Sequence, residues 1–195
     1  MTVLQSSQRI QSCEELAENC QDGDQQAYSE LIARYGPRIH GFLHRLVGNA
    51  HDAEDLTQDV FVKAYQNIHS FDTQRSFRPW IFTIARRTAA NFWRKKRPTV
   101  QIENDPPSHA TDPREKAESQ DDCERIWKFA HTLKKRYFQV LWLRYREEFS
   151  MQEIAEAMEI TNINTKVLLH RARSDLAKKL TSAGMLNREH QESLS

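Results

Sequence analysis

The chain has 195 residues, of which 38% are hydrophobic and 28% charged, and its 28 Lys/Arg against 27 Asp/Glu leave a net charge of +1. That length holds one or two small domains and no large core, and no apolar run approaches the ~20 residues needed to span a bilayer. Few glycines and few β-branched runs point to a mostly helical protein, and three sparse cysteines, Cys13, Cys20 and Cys123, fit a reducing cytoplasm better than a disulfide framework.

The near-neutral total conceals a strong segregation. Residues 22–97 carry 12 Lys/Arg against 8 Asp/Glu, residues 98–124 carry 2 against 8, and residues 125–180 carry 12 against 6. Basic faces are the footprint of a polyanion, because Lys and Arg on phosphates release condensed counterions. Two basic lobes on one short chain imply two contacts on one nucleic acid. The acidic bridge between them should avoid DNA and sit against something basic.

In chain order, residues 1–22 are polar, with no periodic pattern beyond Leu16 and Ala17, and lack the apolar stretch of a signal peptide. Cys13 and Cys20 lie seven apart, a spacing that could put them on one helical face and allows a two-ligand metal or redox site. Ala27, Leu31 and Ile32, then Ile39, Phe42, Leu43, Leu46 and Val47, recur at helical steps. Gly36-Pro37 is expected to bend or break the run between them. His40 and His44, four apart, could bind a metal in principle, but no carboxylate or Cys stands at a fitting distance in sequence. They read as surface or core histidines.

HDAEDLTQDVFVKAYQNIHSF, residues 51–71, has a stripe of Leu56, Val60, Ala64 and Ile68, with Phe61 and Tyr65 beside it. Asp52, Glu54, Asp55 and Asp59 load its first turns. Negative charge suits a helix N-terminus, but this load exceeds what capping needs. The alternatives are a solvated face or a docking face for a basic protein surface.

FDTQRSF, residues 71–77, reads as a loop. FRPWIFTIARRTAANFWRKKR, residues 77–97, reads as a long helix with Pro79 tolerated in its first turn. It carries Arg86, Arg87, Arg94, Lys95, Lys96 and Arg97, interleaved with Phe77, Trp80, Phe82, Phe92 and Trp93. Rings beside cations suit single-stranded nucleic acid, where each stacked base is worth ~1–3 kcal/mol. Ile81 and Ile84 face the core, while some of the five aromatics should remain available to bases.

Residues 98–120 contain four of the six prolines and mark a linker. In the second lobe, Ser150 and Glu153 form a capping box that opens a short helix. A turn at residues 159–162 and a long helix follow. Ile154, Ala155, Met158, Ile160, Leu168 and Leu169 have the spacing of a helix-turn-helix core, although an ordinary amphipathic hairpin could share it. Lys166, His170, Arg171 and Arg173 lie on or near the outer side of the second helix, where such a helix meets base edges in the major groove. Residues 182–195 read as a polar tail.

DAEDLTQDVFVKAYQNIHSF, FRPWIFTIARRTAANFWRKKR and YFQVLWLRYREEFSMQEIAEAMEITNINTKVLLHRAR resemble, in that order, regions 2.2, 2.3–2.4 and 4 of the sigma-70 class of RNA polymerase sigma factors, in the small extracytoplasmic-function (ECF) group. The resemblance covers about residues 22–181. It implies an all-α fold of two small helical domains, sigma-2 over 22–97 and sigma-4 with its helix-turn-helix over 121–181, joined by a flexible acidic linker over 98–120. It also implies a cytoplasmic initiation factor that binds core RNA polymerase through β′ and β. Sigma-2 would read and melt the −10 element of promoter DNA, and sigma-4 would read the −35 element. An anti-sigma factor is implied as a further partner. No cofactor, metal or membrane insertion is.

Matched position by position, Asp55, Gln58 and Asp59 fall where the family contacts β′, although Glu is usual at the position of Asp59. Phe77 falls where a −10 base is held, with Arg78, Trp80, Arg87, Asn91 and Arg94 as its −10 companions. Asn91 stands where Asp is frequent and Arg87 where Asn is common. Asn164, Lys166, His170, Arg171 and Arg173 are the −35 candidates. The turn has Met158-Glu159 where the family often has Leu-Gly, a loss that distorts the turn if a positive φ is required there. An enzyme is the rival reading from another class, and no GxxxxGK[ST], HExxH, GxSxG or CxxC supports it. A stand-alone transcriptional regulator leaves the aromatic-basic helix and the acidic linker unexplained.

Overall fold

Five helix starts coincide with a side chain that closes the first turn. Ser12 and Ser150 each form a complete capping box, with Glu15 and Glu153 respectively. Asp24 accepts from the amides of Gln26 and Ala27, Asn49 from Asp52, and Thr161 from Asn164. Each such cap satisfies a backbone donor that the helix leaves open. The computed structural model describes residues 11–96 and 118–185, the side chains of 118–123 excepted. The elements are α1 (Cys13–Gln21), α2 (Gln25–Val47), α3 (Ala50–Asn67), a 3-10 turn (Ile68–Ser70), α4 (Phe77–Lys96), α5 (Glu118–His131), α6 (Lys135–Tyr145), α7 (Met151–Met158) and α8 (Asn162–Ser182). No strand occurs among the described residues, and none of their helices is long and apolar enough to cross a membrane. Most of the expected linker, 98–117, and the tail beyond 185 lie outside the described residues.

The first lobe is α1–α4. Leu31, Ile39, Phe42 and Leu43 of α2 meet Leu56, Val60 and Ala64 of α3 and Ile81, Phe82 and Ala85 of α4 in one buried core. Ile32, assigned to the same stripe in the sequence, is instead 39% exposed. Two sequence expectations change here. Gly36-Pro37 does not break the helix: α2 runs through Pro37 without interruption. Proline removes one ladder bond, and α2 is packed against α1, α3, α4 and α6, so tertiary contacts outweigh it. The lobe also begins before residue 22. Leu16, Ala17 and Cys20 of α1 are buried in its core, Glu14 accepts from the Phe77 amide at 2.9 Å, and Gln21 donates to the Ile68 and Phe71 carbonyls. The chemistry at this end is structural: burial pushes the Cys20 thiol up to about 11.

The second lobe is α5–α8. Ile154, Ala155 and Met158 of α7 are buried with Leu169 of α8, while Ile160 and Leu168 are half-buried. The two lobes are not apart. Helix α4 packs along α7, and α2 packs against α6. Phe82 meets Phe149 edge-on with centroids 5.3 Å apart, and Phe42 faces Trp142 at 6.3 Å. Phe149 is fully buried against the other lobe. Pairs of this kind add ~0.5–1.5 kcal/mol each beyond their area.

Candidate nucleic-acid and protein interfaces

Helix α3 presents the first surface. Asn49 caps it, and Asp52 is drawn off to Lys96 of α4 at 3.1 Å, so neither serves an outside partner. Asp55, Gln58 and Asp59 are exposed on the outer side. Asp55 stands 3.9 Å from His51 and Asp59 3.8 Å from Lys63, contacts worth little at exposed sites. Beside them is an apolar depression of about 490 Å³ lined by Tyr28, Ile32, Gln58, Phe61, Val62 and Tyr65. Val62 and Tyr65 are about half exposed, and Tyr65 is held edge-on by Tyr28 at 4.9 Å. The Tyr28 hydroxyl in turn donates to the Phe61 carbonyl. The sequence reading placed the acids here but not this apolar floor. Its signal was Val62 and Tyr65 standing off the buried Leu56–Val60–Ala64 stripe.

Helix α4 presents the second. Of its five aromatics, Phe77 and Phe82 are buried and Trp80, Phe92 and Trp93 are half-buried. Phe77 differs from the expectation that its ring holds a base. It is 1% exposed and wedged between Tyr35, Phe71 and Trp80, with centroids at 5.3, 5.5 and 5.3 Å. It buttresses the 71–77 loop from below, and Trp80 is the ring that reaches the surface. Arg78 is turned into the contact between lobes: it lies over the Phe149 ring at 4.6 Å and donates to the Glu147 carbonyl. Asn91 and Arg94 are exposed. Arg87 is on the surface but held, because both of its ends reach the carboxylate of Glu159. That bond raises the guanidinium pKa of Arg87 and lowers the carboxyl pKa of Glu159. Arg86 shifts the other way, because burial outweighs the same carboxylate.

Helix α8 presents the third. Asn164, Lys166, His170 and Arg171 are all exposed. Arg173 is set apart from them: its Nε donates to the Tyr145 hydroxyl at 2.6 Å, tying α8 to α6. Ile163 and Val167 are exposed on the same helix, and neither was picked out from the sequence. The turn before α8 does require a positive φ, at Glu159 (φ 54°, ψ 47°), the residue standing where glycine is frequent. Its amide still closes α7 onto the Ala155 and Glu156 carbonyls, so the helix-turn-helix keeps its shape.

The described residues contain no group of three or more His, Cys, Asp or Glu that could hold a metal. The rings of His40 and His44 stack at 5.9 Å.

Two family profiles match the chain, sigma-70 region 2 over residues 31–99 and sigma-70 region 4 over 123–176. The ECF RNA polymerase sigma factor SigW of Bacillus subtilis is 31% identical over 81% of this chain and 91% of its own. The ECF RNA polymerase sigma-E factor of Haemophilus influenzae is 31% identical over 85% and 93%. Among solved structures, CnrH in complex with the cytosolic domain of CnrY aligns with a TM-score of 0.67, at 22% identity over 87% of this chain and 97% of that one. The sigma factor RpoE in complex with the anti-sigma factor NepR from Bartonella quintana aligns with a TM-score of 0.61, at 23% identity over 79% and 96%.

Proposed function

Because the chain belongs to the ECF group of sigma-70 factors, which start transcription at promoters and are not enzymes, we propose that it binds core RNA polymerase in the cytoplasm with α3 and reads promoter DNA with α4 and α8. One observation carries this reading: α8 follows a capped helix and a tight turn, and presents Asn164, Lys166, His170 and Arg171 together to solvent. A helix so placed suits the major groove of the −35 element. On α4, Trp80, Asn91 and Arg94 serve the −10 element, with Arg87 joining them when Glu159 lets go. Phe77 acts only by supporting Trp80 and the loop.

Asp55, Gln58 and Asp59, with Val62 and Tyr65 beside them, form the surface for the β′ subunit. Exposed acids beside an apolar depression fit a basic, amphipathic partner: the charges steer and orient, and the rings supply affinity when covered. The structural neighbour solved with the anti-sigma factor NepR supports an anti-sigma factor as a further partner.

Run-off transcription with core polymerase and a library of promoter fragments tests the function. Promoter-specific transcripts that require both proteins are the expected result. Tight operator binding by the isolated chain, with no dependence on polymerase, would instead make it a stand-alone regulator.

A further inference from the structure

The two lobes carry the same sign of net charge, yet they are packed together. The acids that make this possible are few and regularly placed. Glu147, Glu153 and Glu159, six residues apart, all face arginines of the first lobe. Glu147 is 5% exposed, takes Arg38 through Nε at 2.7 Å and Nη2 at 2.6 Å, and also accepts from the Trp142 indole at 3.1 Å. Glu153 stands 3.9 Å from Arg78. Glu159 takes both Arg86 and Arg87. Around Glu159 the backbone adds to the effect. Arg86 Nε donates to the Ala157 carbonyl at 3.1 Å, and the Thr83 hydroxyl, whose nearer acceptor is the Pro79 carbonyl at 2.8 Å, lies 3.3 Å from the same oxygen. The negative end of the α7 dipole therefore meets Arg86. A carboxylate plus a carbonyl, aimed at adjacent guanidinium groups, presents the chemistry of a phosphate.

The backbone at Glu159 sharpens the point. Its φ of 54° is left-handed, where glycine is the easy choice and a side chain is disfavoured. A residue that is costly for the turn alone stands at the position from which a carboxylate reaches Arg86 and Arg87.

We propose that Glu159 is the catch of an intramolecular latch: it holds the helix-turn-helix lobe against α4 and occupies Arg86 and Arg87, so the free protein withholds that part of its own −10 surface. The latch rests on the reading of α4 as a promoter-binding helix, but its closure is a property of the chain by itself. Glu147 and Glu153 grip the other end of the interface, and Glu159 is its exposed, releasable end. Arg87 is 62% exposed in its side chain, so the grip is open to competition from salt and from a polyanion. DNA phosphates that displace Glu159 would open the lobes and free the arginines in one step.

The test is arginine footprinting of the full chain with phenylglyoxal, read by mass spectrometry, alongside small-angle scattering. Neither uses polymerase or DNA, so the outcome is independent of the transcription assay. E159Q removes the charge and keeps the size. E159G relaxes the turn, so opening cannot be put down to a misfolded α7. In both variants the modification rate of Arg78, remote from position 159, should rise about three- to tenfold together with those of Arg86 and Arg87, the range that two exposed ion pairs support. The radius of gyration should increase as well. Wild type in molar salt should approach the variants. A rise confined to Arg86 and Arg87, with Arg78 and the scattering unchanged, overturns the latch, as does a wild-type chain already as reactive as E159Q.

Discussion

The two DNA-facing helices of this protein have the same job in prospect and opposite circumstances in the structure. Helix α8 leaves Lys166, His170 and Arg171 bare, while α4 has Arg78, Arg86 and Arg87 engaged by the other lobe. The difference follows from what each helix buries. Helix α8 uses Leu169 and Ala172 inward and keeps a clean outer face. Helix α4 is sandwiched, with Ile81 and Phe82 in its own core and a second side closed by α7. Charge therefore does not by itself mark a free surface. Two basic helices differ in availability because one of them meets two well-placed glutamates, Glu153 and Glu159.

The largest expected effect lies outside both helices and asks whether either matters without polymerase. D55R combined with D59R should reduce co-purification with core polymerase by about 100-fold, because reversing two interfacial charges costs several kcal/mol. Both residues are exposed and their ion pairs are loose, so the circular dichroism melt should not move. Unchanged co-purification would remove α3 as the docking surface.

Next in size is the contact between the lobes. Phe149 is fully buried, faces Phe82, and lies under the Arg78 guanidinium. F149A should cost ~3–5 kcal/mol in urea unfolding. It should also release Arg78, bringing α4 closer to the open condition of α8. A loss below about 1 kcal/mol would mean that the ring has another place to go.

R171A should cost ~1–3 kcal/mol of discrimination at particular −35 positions, the worth of one good base contact. Selection of −35 variants against the mutant measures it. An unchanged selected sequence would put Arg171 on phosphate and move the reading face elsewhere on α8.

Much of this was legible in the sequence, for physical reasons. The Ser150–Glu153 box, the helix-turn-helix core and the acidic run of α3 are local patterns, and local patterns survive folding. The failures share a cause. The α1 helix has its own capping box at Ser12 and Glu15, but the short apolar set of Leu16, Ala17 and Cys20 gave no long period. Gly36-Pro37 reads as a bend or break because its neighbours in space are invisible along the chain. The resemblance puts Phe77 where a base is held, and neither it nor the aromatic-basic alternation tells which ring turns inward in the free chain. The grip of Glu159 on Arg86 and Arg87 spans more than 70 residues, beyond any spacing rule.

A smaller effect follows from histidines where α2 meets α5. His44 and His131 both have lowered pKa values, each mainly through burial, with His40 and Arg45 adding repulsion to His44, and Arg45 and His44 to His131. A histidine lowered on folding binds more protons in the unfolded chain, so stability must fall as pH drops through about 6.5. Thermal melts at pH 7.5 and 5.5 should differ in that direction, and H131F should flatten the difference.

The smallest effect separates two adjacent lysines at the end of α8. Lys179 is not free: its ammonium donates to the Thr132 carbonyl at 3.0 Å and the Thr132 hydroxyl at 2.7 Å, pinning α8 to the α5–α6 turn. Lys178 is exposed. K179A should therefore lower stability by about 1 kcal/mol, the usual net worth of such bonds, and leave promoter choice alone. K178A should leave stability within about 0.5 kcal/mol. If Lys178 touches phosphate, its loss should weaken every promoter alike and reduce the salt slope of binding by about one. Binding titrations at several salt concentrations on two unrelated −35 sequences decide the matter. A K178A effect that differs between the two sequences would mean the groove-facing register of α8 is shifted toward its C-terminus, and the contrast between the reading and covered helices would have to be redrawn around a different face.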